Sequence, residues 1–286
     1  MAYGKSIELF LVNGTAESLV TAELSNWNGK AIKIPRIEVA SCNREDIKGA
    51  GVYFLFCRED DGQGAVYIGE SETVQDRLIQ HIRDYVSDKE KFYWTTAVIF
   101  LGRDLNKALI RYLEDRLVQI AREKKRCIVL TKNTYSKTVM KESQVAAMEE
   151  FIDNVRILIS ALGYNVLESA AKDDKGTSQD DRLYLQIGGA NATGQVTTEG
   201  FVVLAGSIIN EKASEKSLSK GMFALRKKHF DAGRVVNLKT TEDIVFSSSS
   251  AAADFVIGYS VSGPANWKNS SGKSLKEIEE EETKNV

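Results

Sequence analysis

Gly51-Val52-Tyr53 and Tyr67-Ile68-Gly69, separated by the thirteen residues Phe54 to Val66, decide the fold. Both flanks are rich in aromatic and β-branched residues, which suit a pleated and half-buried surface. Between them, Glu59-Asp60-Asp61-Gly62-Gln63-Gly64 is turn chemistry, so residues 51–69 are predicted to form a β-hairpin. From Thr73, a capping type, the apolar spacing lengthens: Val74, Leu78, Ile82 and Tyr85 recur at helical period. Phe92 to Leu101 is the next strand. Residues 105–122 form the clearest helix, with Leu105, Leu109, Leu113, Leu117 and Ile120 on one stripe. Cys127 to Leu130 reads as a short buried strand and residues 141–162 as another amphipathic helix.

Outward from this block, Ile7 to Val12 reads as a strand closed by Asn13-Gly14, and Lys30 to Ile34 alternates before Pro35. Residues 1–45 are therefore a strand-rich lead-in to a domain over residues 46–162. Residues 163–182 are polar and charged, and read as a linker. A second small domain is expected over residues 183–275, with a strand at 201–205, a helix at 214–230 and an Ala-rich helix at 249–257 that the serines at 247–250 can cap. The tail, residues 276–286, carries five glutamates and reads as a solvated or disordered end.

The 286 residues carry a net charge of -2, which excludes a wholly basic nucleic-acid binder but not local basic patches. Three cysteines spread singly argue against a disulfide framework or a thiolate zinc site, and fit a reducing compartment. Two histidines, His81 and His229, are too few for an imidazole-rich zinc centre. With no apolar run near the ~18 residues of a membrane span and no secretory leader, a cytoplasmic protein without a membrane partner is expected. No Gly-rich phosphate loop and no GxSxG context occur.

After the hairpin, Arg77 and His81 lie four residues apart on one helix face, Glu114 lies on the next helix, and Asn133 follows the next strand. Each alone is a common structural residue. In this order and on these elements they resemble the GIY-YIG nuclease family, over about residues 49–135. The resemblance implies an α+β fold: a small three-stranded antiparallel sheet flanked by helices, here followed by a second small α+β domain. It implies a metal-dependent endonuclease that hydrolyses DNA by a single-metal mechanism, using Mg²⁺ or Mn²⁺. Glu114 would hold the ion, a hard cation that prefers oxygen ligands. Arg77 would bind the scissile phosphate through its planar fork. Tyr53 and Tyr67 would position or deprotonate the attacking water, and Asn133 would be structural or would fix the site by hydrogen bonds.

Some family members place a Lys after the second motif; here it is Glu70, expected to push the tyrosine pKa upward. His81 is then expected to help, as proton carrier or as a tyrosine's hydrogen-bond partner. The alternative is a DNA-binding module with a weak or vestigial site. The stretches Gly200 to Ser207, Phe246 to Ala253, Gly258 to Trp267 and Gly272 to Leu275 resemble a small domain of unknown function that follows such nuclease domains in bacterial proteins. Candidate DNA contacts are Lys124, Lys125, Arg126 and Lys132 beside the site, and Arg226, Lys227 and Lys228 with Trp267 in the second domain.

Overall fold

The computed structural model describes residues 3–58, 64–132, 139–171 and 182–284. The chain divides into two compact units, Met1–Glu168 and Ser169–Val286, and both are α+β.

The first unit runs β1 (Ile7–Leu11), β2 (Val20–Leu24), β3 (Lys30–Pro35), β4 (Gly51–Arg58), β5 (Gly64–Ser71), α1 (Val74–Val86), β6 (Trp94–Leu101), α2 (Lys107–Lys124), β7 (Ile128–Val129) and α3 (Glu142–Ala161). Its strands form one sheet in the order β1-β2-β3-β6-β4-β5-β7. All pairings are antiparallel except β5 with β7. The sheet is thus seven strands wide, not three. The lead-in is not separate: Lys30–Pro35 pairs with Thr96–Leu101, giving β6 a partner on each side. The reason lies in β6 itself. Ala97, Val98, Ile99 and Phe100 are fully buried, and backbone groups at that depth need ladder partners on both edges.

Strand alternation divides the hairpin between two cores. Tyr53, Leu55 and Cys57 join Ile32, Ile34, Ile99, Val74 and Leu78 on the α1 face. Val52, Phe54 and Phe56 join Leu113, Leu117, Val155 and Leu158 on the face covered by α2 and α3. Helix α1 starts beside Thr73, but the Thr73 side chain makes no capping bond; instead its N–H donates to Ser71 Oγ at 3.0 Å. The expected linker also begins late. Tyr164 stacks on Phe56 with centroids 3.7 Å apart, and Val166 and Leu167 are buried in the first core.

The second unit holds β8 (Leu183–Ile187), β9 (Ala190–Thr197), β10 (Gly200–Val203), α4 (Lys220–Asp231), the two-residue ribbon β11 (Val235–Val236) and β12 (Lys239–Thr240), β13 (Ile244–Phe246), α5 (Ser249–Ile257), α6 (Gly263–Asn266) and α7 (Leu275–Lys284). Its main sheet is antiparallel, in the order β13-β10-β9-β8. Helix α4 starts at Lys220, not 214, because Ser219 caps it by accepting from Met222 N–H at 3.1 Å. Ser248 caps α5 in the same way.

The acidic tail is a helix. Ser274 and Glu277 form a capping box: Glu277 Oε2 accepts from Ser274 N–H at 2.8 Å, and Ser274 Oγ accepts from Glu277 N–H at 3.3 Å. Leu275 and Ile278 then lie against the second core while the glutamates stay in solvent.

Candidate active site

The two tyrosines reach the same face of the hairpin because Tyr53 pairs with Gly69 and Leu55 with Tyr67, which makes them diagonal neighbours. Their rings stack at 6.4 Å between centroids. Gly69 makes room for both. A Cβ there would lie 2.5 Å from Tyr53 Oη and 2.9 Å from Tyr67 Cε1. Gly51 answers a different demand, since a Cβ there would lie 2.5 Å from the Phe100 carbonyl oxygen on β6. The glycines of both sequence motifs are thus required by close approach of neighbouring atoms.

Tyr53 is 1% exposed, whereas Tyr67 is half-buried and stacks on Phe92 at 5.4 Å. Helix α1 brings Arg77 and His81 to the same place. Tyr53 Oη lies 3.0 Å from His81 Nε2, and His81 Nδ1 lies 2.6 Å from Glu90 Oε2. The Arg77 guanidinium sits beside both phenols. Burial pushes the two phenols above their ordinary pKa, and Arg77 pulls both partway back.

Glu114 approaches from α2, on the other face of the sheet, yet its charge is felt by both tyrosines. The end of β5 explains the convergence. β7 pairs with β5 only at Ala65 and Val66. Beyond that, Thr131 Oγ1 accepts from Ile68 N–H at 2.8 Å and donates to Ile68 O at 2.7 Å. No strand besides β4 pairs with β5 at Glu70 among the described residues, which leaves that edge open to groups of either face. Asn133, two residues after Thr131, lies outside the described residues.

Glu114 is 5% exposed and its Oε2 is buried without a hydrogen-bond partner. Burial first, then the Glu70 carboxylate, push its pKa up to about 7, against the pull of Lys107 and Arg111. Glu70 is not turned towards the tyrosines, as expected from its place after the second motif. Alternation turns it to the α2 face, where both its oxygens accept from Lys107 Nζ at 2.8 and 2.9 Å.

An orphaned, buried carboxylate oxygen fits a hard divalent cation that keeps most of its waters and takes one or two protein oxygens. Among the described residues no group of three or more His, Cys, Asp or Glu side chains is gathered into a metal cluster. A carboxylate oxygen is a hard donor, of the type that suits Mg²⁺ or Mn²⁺ better than a soft metal.

Residues 183–279 match the model of a family described as a domain of unknown function (DUF4357). No curated protein and no solved structure matches the chain. The family match lies wholly within the second unit, where the expected DNA contacts need correction. Arg226 is 4% exposed, donates to the Phe255 carbonyl at the end of α5, and packs its guanidinium over Phe230. It closes an orphan helix-end carbonyl and offers nothing to a phosphate. Trp267 is also fully buried, its Nε1–H donating to Ser249 O at 2.9 Å. Helix periodicity is the cause: Arg226, His229 and Phe230 share the inner face of α4, while Lys227 and Lys228 are exposed.

In the first unit Lys125 and Lys132 are exposed, and Lys124 and Arg126 half-buried. Lys124 lies ten residues along α2 from Glu114, about 15 Å at 1.5 Å per residue. Among the described residues no helix is long and apolar enough to cross a membrane.

Glu90, Lys107 and Thr131 join the site without belonging to any of the sequence motifs. Glu90 and Thr131 lie in loops, where no periodicity marks them. Lys107, Arg111 and Glu114, at i, i+4 and i+7, are a polar stripe beside the apolar one on α2, and that spacing was visible.

Proposed function

We propose that the chain is a Mg²⁺- or Mn²⁺-dependent endonuclease that hydrolyses DNA phosphodiester bonds, one strand at a time, at the end of β5. What carries the reading is the convergence there of two tyrosines, one guanidinium and a buried carboxylate with an unpartnered oxygen. Arg77 binds the non-bridging oxygens of the scissile phosphate. Tyr67, the accessible phenol, holds the attacking water by a hydrogen bond. Tyr53 is buried and holds Arg77 and His81 in place. Both phenols stay protonated near neutrality, which favours orienting the water over stripping its proton. Glu114 would hold the cation, which would supply positive charge beside the phosphate. Lys124, Lys125, Arg126 and Lys132 hold the flanking backbone by phosphate contacts.

A second reading, DNA binding with a weak or vestigial site, is favoured by one observation. Without a cation, Glu114 is only partly ionised near neutral pH. Plasmid and single-stranded DNA incubated with Mg²⁺, Mn²⁺ or EDTA separate the two. Cation-dependent nicking that Glu114→Ala abolishes supports the nuclease. Equal nicking by both proteins overturns it, and DNA retarded but uncut supports the second reading.

A further inference from the structure

We propose that Glu90 is a positioning residue of this site, which acts through His81 and Tyr53 to aim the Arg77 guanidinium. The proposal rests on the nuclease reading for its consequence, but not for its geometry.

Glu90 is presented by a built loop. Past the end of α1, Asp88 takes a left-handed φ of 61°, and the N–H groups of Lys89 and Glu90 both donate to Asp84 O, at 2.9 and 3.2 Å. This turns the Glu90 side chain inward, to 13% exposure, against a His81 side chain that is 1% exposed. One oxygen takes the 2.6 Å contact with Nδ1; the other, Oε1, is buried without a partner. A buried carboxylate with a bare oxygen is a poor stabilising device, so packing alone does not account for it.

The chemistry of the contact sets a direction. With a Glu90 oxygen as the acceptor of the 2.6 Å contact, Nδ1 carries the hydrogen. In the neutral ring Nε2 then holds a lone pair and accepts from Tyr53 Oη, 3.0 Å away. The Tyr53 hydrogen is committed to His81, and its oxygen lone pairs are left for the Arg77 guanidinium beside it. Without Glu90 the ring is free to place its hydrogen on Nε2. Tyr53 would then accept from His81 and turn its own hydrogen towards Arg77, donor against donor. Each link thus has one polarity, and Glu90 sets it from two residues away.

The test uses the full chain labelled with ¹⁵N at histidine; its two histidines are told apart with His229→Gln. Long-range ¹H–¹⁵N spectra of the wild type, recorded where the ring is neutral, should show the His81 hydrogen on Nδ1. Glu90→Ala should give a mixture of tautomers, with cation-dependent nicking reduced roughly ten- to a hundredfold, as for outer-shell partners elsewhere. Glu90→Gln, which keeps an accepting oxygen, should restore much of both. A wild-type His81 with its hydrogen on Nε2 overturns the proposal without any variant. So does a tautomer unmoved by Glu90→Ala. A tautomer that shifts as stated in a protein that cuts no DNA under any cation leaves the device standing and removes the nuclease reading.

Discussion

Replacing Glu114 by Gln keeps the shape of the side chain and removes the charge that the structure buries. The carboxyl ordinarily titrates near 4.5 and is pushed up to about 7 in the fold, chiefly by burial and then by Glu70. A raised carboxyl pKa means the folded state binds the proton more tightly than the unfolded one. Below about pH 4.5 both states are protonated and the group costs nothing. Between about 4.5 and 7 the unfolded chain ionises first and stability falls; above 7 the loss is complete. At 1.36 kcal/mol per pKa unit, the full loss is about 3 kcal/mol, of which about 2.5 falls between pH 5 and 8. Urea unfolding of both proteins in EDTA at pH 5 and pH 8 measures it. The stability gap should favour Glu114→Gln by about 2.5 kcal/mol more at pH 8 than at pH 5. Mg²⁺ should narrow the gap at pH 8 by stabilising only the wild type. Parallel pH profiles for the two proteins would falsify the claim that Glu114 is buried with an unmet oxygen.

Gly69→Ala places a Cβ 2.5 Å from Tyr53 Oη and 2.7 Å from its Cζ, and the overpacking should lower stability by about 1–3 kcal/mol. Gly64→Ala, on the same strand with nothing within 4 Å, should not lower it; equal unfolding midpoints would remove the crowding argument. Arg226→Met should cost about 1–3 kcal/mol, because the Phe255 carbonyl is left buried and unpaired. The salt dependence of DNA binding should not change, and a flatter slope would return Arg226 to the surface role. Ser274→Ala should cost about 1 kcal/mol in the second unit by opening the capping box. No change in that unit's unfolding would mean the last helix frays.

The hairpin, helices α1, α2, α3 and α5, and strand β6 were readable because each carries a long, clean period. The width of the sheet was not. Nothing in Lys30 to Ile34 names its partner; that follows only from the need of β6 for a second neighbour. The tail was misread for a related reason. Five glutamates outweigh Leu275 and Ile278 in any count of composition, yet two apolar residues three apart and a Ser-x-x-Glu start are enough to dock a helix. Arg226 was grouped with Lys227 and Lys228 because they are adjacent in the chain. On a helix, adjacent residues point about 100° apart, and only i+3 and i+4 share a face.

Glu70 shows how alternation decides which neighbour a charge acts on. Read along the chain, it lies three residues from Tyr67 and bears the wrong sign to help a phenol lose its proton. In the sheet, Tyr67 and Gly69 point to the α1 face while Ile68 and Glu70 point to α2. The carboxylate therefore acts first on Glu114, and its charge is answered by Lys107 through both oxygens, with Arg111 at 3.9 Å. The lysine side chain is 38% exposed and Glu70 only 2%, so the buried acid holds a cation at a height where solvent reaches it. Glu70, which read along the sequence bears on a tyrosine, thus anchors in the fold a positive group from α2 beside the Glu114 carboxylate.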